Sequence, residues 1–312
     1  MNKINLLITA AGGDIGQSIL KILKGQNFID KLVCCDISED NAAPILFENF
    51  EIVKKVDDVD FIPSLENLVE KHKIDLIIPV SEAELRFFNK NKIENILNAK
   101  LIMANNYAMD IGFDKYLTTK FLQENSLICP WTMKVNENGP INFPCIFKDS
   151  KGCGSKGIFK LENKEDYNFY SSKYPDFIAQ EYLEGDEYTC GVYQSQTQDV
   201  RIIIFKRQLK GGLTGVGQLV ENNEIKELLS KIAKALKLKG SINIQLRMTK
   251  KGPMVFEINP RFSSTVLFRD KLGFKDLIWS IKEKINEPID DYKPISKNVK
   301  FYKIYDEIIC YE

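Results

Sequence analysis

The N-terminal third of the chain alternates between short apolar runs and segments with helical periodicity, and this alternation constrains the fold more than any other feature. The run INLLIT leads into the glycine turn of ITAAGGDIGQSIL and then into a helical segment. The runs KLVCCDIS and IDLIIPV are followed by further helical segments. Strands that alternate with helices form a parallel sheet with helices on both faces. We therefore predict an α/β domain over residues 1–110.

The glycine turn supports two interpretations. In dinucleotide-binding sheets such a turn brings phosphates to a helix N-terminus, and Asp36 ends the second strand about where a ribose-binding acid belongs. An NAD-dependent epimerase or reductase would also need a Tyr-x-x-x-Lys pair, and Tyr116 and Lys120 have that spacing. Alternatively, the glycines serve the turn and helix–strand packing, and Gly13 exposes a helix N-terminus to an anionic group of a substrate.

Composition excludes several classes of function. The 43 basic and 43 acidic residues cancel, so we expect no nucleic-acid partner. No apolar run approaches the ~20 residues of a membrane span, and the N-terminus has the pattern of a strand rather than a signal peptide, so we expect a cytoplasmic protein without a membrane partner. The seven cysteines lack C-x-x-C spacing and are expected to be reduced. The single histidine, His72, is expected on the solvated surface, which leaves few histidine-based catalytic sites.

After residue ~110 strands joined by a glycine-rich turn appear, and from residue ~187 the strands lengthen and include a hairpin. In KDSKGCGSKGI, Lys148 ends an apolar strand, and Gly152, Gly154 and Gly157 allow backbone N–H groups to approach an anion. The segment lies between two strands, so it is neither a Walker A loop nor a Rossmann turn. It predicts a hairpin over phosphates, or else an ordinary glycine-rich turn.

A polar face is predicted on the hairpin that turns at TKKGP. Strand alternation places one set of side chains together, namely Val255, Glu257 and Asn259, with Phe256 and Ile258 opposite. On the paired strand a second set shares a face, namely Asn243, Gln245 and Arg247. Carboxylate and amide oxygens suit Mg²⁺. A solvated sheet face is the alternative.

The order of these motifs resembles that of the ATP-grasp superfamily, in particular its short carbamoyl-phosphate-synthase-like members. The resemblance covers nearly all of residues 1–290. It implies a Rossmann-like pre-ATP-grasp domain (1–110), a small lid subdomain (111–186), a C-terminal ATP-grasp subdomain with antiparallel sheets (187–290) and an added strand or tail (291–312). The overall class is thus α/β and α+β.

The resemblance also implies roles for individual residues. The nucleotide would be held by Lys115, Lys148, Gly154, Ser155, Gly157, Gln180, Glu181, Tyr182, Leu183, Glu187 and Gln245. Within this set Glu181–Leu183 match the hinge that meets the adenine, and Glu187 matches the ribose carboxylate. Glu257 and Asn259 match metal ligands, and Arg261 matches the arginine that stabilises an acyl phosphate, with Lys148 as a second catalytic cation.

Substrate contacts are predicted for Gly13, Arg207, Ser263, Ser264 and Arg269. The last three could hold a carboxylate through charge-assisted hydrogen bonds, or equally cap the following helix.

The implied activity is that of a ligase which uses ATP and Mg²⁺ to activate a carboxylate for attack by an amine or another nucleophile. Its partners would be small molecules, and homodimers are common in the resembled group. Two alternatives remain: the NAD-dependent enzyme described above, and a nucleotide-binding protein without turnover. Gln245 stands where members of the superfamily often carry a carboxylate, which leaves the number of Mg²⁺ ions open.

Overall fold

A parallel sheet and its helices form the N-terminal part of the chain. The structure, a computed structural model, describes residues 3–135, 137, 142–152, 157–210, 213–295, 298–304 and 308. The first elements are β1 (Ile4–Ile8), α1 (Asp14–Leu23), β2 (Ile29–Asp36), α2 (Ala43–Leu46), β3 (Asn49–Ile52), α3 (Phe61–His72), β4 (Leu76–Ile78), α4 (Glu82–Lys90), β5 (Asn95–Ile96), β6 (Ala99–Leu101) and α5 (Asn106–Gly112). The strand order is β3-β2-β1-β4-β6-β5, parallel except for β5. The predicted α/β sheet is confirmed.

One helix is shorter than the sequence pattern indicates. Helical periodicity continues to Leu97, but α4 ends at Lys90 and a small hairpin of β5 and β6 follows. Lys92 and Leu97 both have left-handed backbone, with φ of 54° and 51°. A left-handed backbone cannot continue a right-handed helix, so the helix ends before these residues. Hydrophobic periodicity carries no information on such backbone angles.

A four-stranded antiparallel sheet comes next. Its elements are α6 (Lys115–Glu124), β7 (Thr132–Lys134), β8 (Cys145–Asp149), β9 (Ile158–Leu161), α7 (Lys164–Lys173) and β10 (Phe177–Glu181). The strand order is β7-β10-β8-β9. Aromatic rings of Phe147, Phe177 and Tyr167 pack between the sheet and α7. The other face of the sheet is left for the site.

The largest antiparallel sheet completes the fold. Its elements are β11 (Asp186–Gln194), β12 (Val200–Lys210), β13 (Leu213–Leu219), α8 (Asn223–Ala235), β14 (Gly240–Thr249), β15 (Gly252–Asn259), α9 (Val266–Lys271), α10 (Asp276–Lys284) and β16 (Lys300–Tyr302). The strand order is β15-β14-β11-β12-β13-β16. One face packs on α8 through buried residues such as Ile244 and Leu229, so polar side chains gather on the opposite face.

The C-terminal segment adds an edge strand, as its alternating apolar residues predict. β16 pairs antiparallel with β13, and a Cβ on Gly217 would lie 2.1 Å from Cζ of Phe301. Just beyond the strand, Lys303 forms an ion pair with Asp14 at the start of α1. The segment therefore joins the large sheet to the N-terminal domain.

The glycine turn after β1 is built for close packing. A Cβ on Gly16 would lie 2.6 Å from Cα of Ala11, because α1 crosses the turn at contact distance. The N–H of Gly12 donates to Oδ2 of Asp36 at 2.9 Å, so that carboxylate holds the turn. These contacts support the packing interpretation of the turn.

Candidate active site

A first cavity lies between the small antiparallel sheet and the polar face of the large one. Its walls include most of the predicted nucleotide-binding residues, namely Lys115, Lys148, Gln180, Glu181, Tyr182, Leu183, Glu187, Gln245 and also Glu257 and Arg207. Gly157 starts the return strand with a φ of 64° and is not part of these walls. Gly154 and Ser155 lie outside the described residues.

Lys148 is a buried cation with a neutral partner. It is the next-to-last residue of β8, and its Nζ donates to Oε1 of Gln180 on the neighbouring strand at 2.8 Å. Gln180 in turn donates to Thr132, which fixes the amide. Burial lowers the pKa of the Lys148 ammonium to about 8, an effect opposed by the negative charge of Glu257. An incoming anion would therefore find a desolvated cation.

Lys115 lies across the cavity from Lys148. It is the first residue of α6, where Asp114 caps the helix by accepting from the N–H groups of Tyr116 and Leu117. Its Nζ donates to the carbonyl oxygen of Gly152 and lies 3.5 Å from Oε1 of Glu257. The two lysines thus bracket the end of the cavity next to the predicted metal ligands.

The segment from Glu181 to Leu183 joins the two antiparallel sheets. The N–H of Glu181 donates to the carbonyl of Trp131 at 2.9 Å, and the carboxylate of Glu181 accepts from the N–H of Trp131. Gly185 then turns the chain with a φ of 125°, where a Cβ would lie 1.9 Å from the carbonyl oxygen of Met248. This geometry gives the wall of the cavity main-chain groups and an apolar side chain, Leu183.

Glu187 is held between two arginines. Its Oε1 accepts from Nε and Nη2 of Arg207 at 2.9 and 2.7 Å, and its Oε2 accepts from Nη2 of Arg247 at 2.8 Å. Arg207 Nη2 also donates to Oε1 of Gln245 at 2.9 Å. The predicted ribose carboxylate is therefore already ion-paired.

A β-bulge corrects the predicted faces of β15. Gln245 pairs with Glu257, but the next residue, Leu246, pairs with Val255. Val255 therefore packs in the core, and Phe256 lines the cavity beside Glu257. The prediction was wrong for Val255 and Phe256, because strict alternation does not survive an extra residue.

The donor set at this end suits one Mg²⁺. Glu257 and Asn259 offer a carboxylate and an amide oxygen from the same strand face, which are the hard oxygen ligands that Mg²⁺ takes. Among the residues that the structure describes, no cluster of three or more His, Cys, Asp or Glu side chains forms a metal cage. A cation here would thus need oxygen atoms from a ligand as well.

A second cavity is adjacent to the first and shares the lining residues Arg207, Gln245 and Glu257 with it. Its other walls include the start of α1, the N-cap of α4 and the turn after β15, namely Ala10, Gly13, Asp14, Ile15, Val80, Ser81, Thr189, Asn243, Asn259, Arg261, Ser263 and Ser264. Four of the five predicted substrate contacts are therefore brought to this cavity.

Two helices point their N-termini at the second cavity. Gly13 is the N-cap of α1, and Ser81 is the N-cap of α4 in a capping box with Glu84. Helix N-termini favour anions. Arg261 adds a guanidinium whose Nε lies 3.6 Å from Oε2 of Glu82. The cavity therefore presents donors to an anionic group.

Arg269 does not reach either cavity, contrary to the prediction. Its fully buried guanidinium donates to Asp276, Asn243 and Thr265 at 2.8–3.0 Å, and also to Ser263. A Cβ on Gly191 would lie 2.8 Å from Cδ of Arg269, so the glycine leaves room for this side chain. Arg269 is held by the protein and positions Asn243 and Ser263 in the floor of the second cavity.

The contacts of Ser263 and Thr265 test the alternative prediction that residues after Arg261 cap the following helix. Thr265 is the N-cap of α9 and its side chain forms no capping bond there, whereas Ser263 Oγ accepts from the N–H of Thr265 at 3.3 Å. Ser263 thus organises the turn before the helix. Ser264 remains a cavity-lining residue with a predicted substrate role.

The Tyr-x-x-x-Lys pair does not form a reductase site. Tyr116 donates to Glu137 at 2.7 Å, which raises the pKa of the phenol, whereas a tyrosine base needs a lowered one. Neither Tyr116 nor Lys120 lines the first or second cavity.

The single histidine, His72, was predicted to lie on the solvated surface, but it is in contact with a carboxylate. Its Nε2 lies 2.6 Å from Oε1 of Glu51.

Several wall residues were not assigned roles from the sequence. Arg247, Asn243 and Thr189 lie on the polar face because every second residue of β11 and β14 points there. The alternation of polar and apolar residues was the available signal. Asp14 and Ser81 lie at the N-terminal ends of α1 and α4 in the N-terminal domain, so only the packing of the domains brings them to the cavity.

Comparisons with known proteins agree with this architecture. Residues 113–265 match the family model for the ATP-grasp domain, and residues 6–101 match the one for the PylC-like N-terminal domain. A tyramine–L-glutamate ligase of Methanocaldococcus fervens is 24% identical over 227 residues, which cover 70% of this chain and 70% of that protein. Over five curated relatives, the match covers between 41% and 70% of their length.

Solved structures share the fold. An N5-carboxyaminoimidazole synthetase from Staphylococcus aureus complexed with ADP has a TM-score of 0.78 at 16% identity, covering 97% of this chain and 83% of that one. An L-amino acid ligase from Bacillus licheniformis has a TM-score of 0.70 at 18% identity, covering 90% and 74%. Fold and domain matches together define the class as ATP-grasp enzymes. The chain contains an ATP-grasp domain at residues 113–265 and a PylC-like N-terminal domain before it, at residues 6–101.

No helix in the described part of the chain has the length and apolar character needed to cross a membrane.

Proposed function

We propose that this chain is a ligase that uses ATP to activate a carboxylate for attack by an amine, with release of ADP and phosphate. The observation that carries the proposal is the junction of the two cavities at Arg207, Gln245 and Glu257. A nucleotide in the first cavity would direct its terminal phosphate at a carboxylate in the second. Such positioning supplies much of the rate in phosphoryl transfer.

The first cavity supports the nucleotide part of the proposal. Glu181–Leu183 would meet the adenine, and Lys115 and Lys148 would hold the phosphates. Glu257 and Asn259 would hold Mg²⁺, which offsets negative charge on the phosphates when bound. Glu187 is already hydrogen-bonded to Arg207 and Arg247. If it also binds the ribose, it would have two roles: it would contact the ribose and hold these two arginines in place.

In the first chemical step a carboxylate oxygen attacks the γ-phosphorus, and the bond from that phosphorus to the bridging oxygen of ADP breaks. The product is an acyl phosphate. In the second step the neutral amine attacks the acyl carbon, phosphate leaves with the C–O bonding electrons, and the amine loses a proton. Arg261 stabilises the oxyanion of the tetrahedral intermediate, and Lys148 stabilises the transferring phosphoryl group.

We further propose that the carboxylate substrate is an amino acid. The volume of the second cavity, about 350 Å³, suits a small molecule. Its helix N-termini and Arg261 suit a carboxylate. Asp14 lies in the same wall, and although its Oδ1 pairs with Lys303, its Oδ2 is outside that pair and suits an ammonium group. The names of the tyramine–L-glutamate ligase and the L-amino acid ligase point to amino-acid substrates in those proteins.

The test is release of ADP from Mg-ATP in the presence of pooled amino acids and amines. We expect ADP release that needs both pools, and loss of it in Glu257→Gln, which keeps the shape of the site but removes a carboxylate. ATP binding without turnover in any pool would favour a nucleotide-binding protein instead. Tight NADH binding without ATP binding would favour the reductase alternative.

A further inference from the structure

Arg207 occupies the junction between the two cavities. It extends from β12, its side chain is only 8% exposed, and it lines both cavities. Nη2 contacts both Glu187 and Gln245, while Nε contacts Glu187 alone. The guanidinium is thus fixed where the terminal phosphate and the substrate carboxylate of the proposed reaction would meet.

The contact with Gln245 decides what else can bind there. Gln245 is a neutral side chain whose single oxygen already accepts from Arg207 at 2.9 Å. A divalent cation on that oxygen would lie next to a guanidinium, and two positive charges at such a distance in a partly buried site repel strongly. Gln245 itself carries no negative charge, and the nearby carboxylate of Glu187 is shared between two guanidinium groups, those of Arg207 and Arg247.

The orientation of Arg207 is set before any ligand arrives. Glu187 accepts from Arg207 with one oxygen and from Arg247 with the other, and the second arginine also donates to the carbonyl of Gly185 at 2.9 Å. This chain of contacts crosses β12, β11 and β14. A cation fixed in this way stabilises developing charge without reorganising. Arginine also stays charged at every working pH.

We propose that this chain binds its nucleotide with one divalent cation, held on Glu257 and Asn259, and that the Arg207 guanidinium takes the place of a second one. The inference rests on the proposed function, since it concerns the same phosphates. It makes Arg207 a catalytic residue that faces the transferred phosphoryl group from the Gln245 side. The positive charge on that side then belongs to the protein and does not depend on the concentration of metal.

The test counts bound Mn²⁺ on the intact chain saturated with adenylyl imidodiphosphate, a non-hydrolysable ATP analogue. Equilibrium dialysis, with the metal held by free analogue subtracted, should give one Mn²⁺ per chain. The electron paramagnetic resonance spectrum should be that of an isolated ion, because two ions bridged by phosphate would broaden each other's signals. Two bound Mn²⁺ with coupled spectra would overturn the inference.

Variants give a second, independent comparison. Replacing Arg207→Met together with Gln245→Glu removes the guanidinium and restores a carboxylate, so we expect two Mn²⁺ per chain. Arg247→Met is the matched control, since Arg247 also contacts Glu187 but not Gln245, and it should stay at one. A double variant that binds the analogue and still holds one Mn²⁺ contradicts the inference. If the double variant does not fold, the count on the unaltered chain decides.

A kinetic measurement separates failure of this inference from failure of the proposed function. At saturating ATP, ADP release should rise until Mg²⁺ equals ATP and then stay level. A further rise with excess Mg²⁺ argues for a second ion and against the inference alone. If the analogue does not bind at all, both the inference and the proposed function fail.

Discussion

Nζ of Lys148 donates to Oε1 of Gln180 across two antiparallel strands, at 2.8 Å and out of contact with solvent. The amide orients the ammonium but does not neutralise it. Glu257 supplies the nearest negative charge that acts on this lysine. The Gln180 amide therefore positions the Lys148 ammonium for an incoming anion. Burial of the ammonium is unfavourable, which is why its pKa is lowered.

The lowered pKa of Lys148 predicts proton uptake when a nucleotide binds. In the free protein the pKa is about 8, and phosphate oxygens beside the ammonium would raise it. Above pH 8 the free protein has lost this proton while the complex retains it, so binding takes up a proton there and none at pH 6. Calorimetry in buffers of different ionisation enthalpy measures the uptake.

Lys148→Met is the control for this effect, and it should abolish the uptake and weaken nucleotide binding about 10- to 100-fold, the value of one charge-assisted hydrogen bond. Uptake that persists in the variant would assign the proton to another group.

Two glycines of the turn after β1 should respond differently to alanine. Gly16→Ala places a Cβ 2.6 Å from the backbone of Ala11, which cannot retreat, so the free energy of unfolding should fall by about 1–3 kcal/mol. Gly13→Ala meets nothing closer than 3.7 Å and should cost less than about 1 kcal/mol. Urea denaturation of both variants makes the comparison.

Gly13→Ala should instead raise the KM for the carboxylate substrate, because Gly13 lines the second cavity. An unchanged KM in this variant would remove the α1 N-terminus from the proposed substrate site.

The buried ion pair of Arg269 and Asp276 should be essential for folding. Arg269→Leu leaves the Asp276 carboxyl buried without its cation and should lower the free energy of unfolding by about 3–5 kcal/mol. The exposed pair of Lys206 and Asp186 has the same charges at 2.6 Å, yet Lys206→Ala should cost less than about 1 kcal/mol. Denaturant titration tests both, and equal losses would contradict the role of burial.

Three buried thiols, those of Cys34, Cys145 and Cys190, should be unreactive in the native chain. Burial raises the pKa of Cys34 and Cys190 to about 12 and that of Cys145 to about 11, so the reactive thiolate is scarce at pH 7.5. Iodoacetamide followed by peptide mapping should modify these three residues only after denaturant is added. Rapid alkylation of Cys190 without denaturant would contradict the packing of β11.

The sequence predicted those features that depend on local periodicity. Apolar runs and intervening helices indicated the parallel sheet, and alternation placed Glu257 with Asn259 and Gln245 with Arg247. Each of these depends on residues a few positions apart.

Other features depend on contacts between distant strands. The bulge that moves Phe256 to the cavity follows from how β15 meets β14, and the bond from Arg207 to Gln245 crosses β11. From the sequence, Arg269 was interpreted either as a ligand of a substrate carboxylate or as a residue that caps the following helix. Its burial requires Gly191, Asn243 and Asp276, which approach it only in the folded chain.

The ion pair of Lys303 with Asp14 joins residues 289 positions apart in the chain. Lys303 is synthesised long after Asp14, while N-terminal domains fold as they emerge from the ribosome. During synthesis the parallel sheet can therefore form with the carboxylate of Asp14 still unpaired. A chain stalled shortly before Lys303 would contain both antiparallel sheets, but Asp14 in the wall of the second cavity would still lack its ion-pair partner. The electrostatic state of that wall thus depends on a residue that the ribosome adds long after the wall itself.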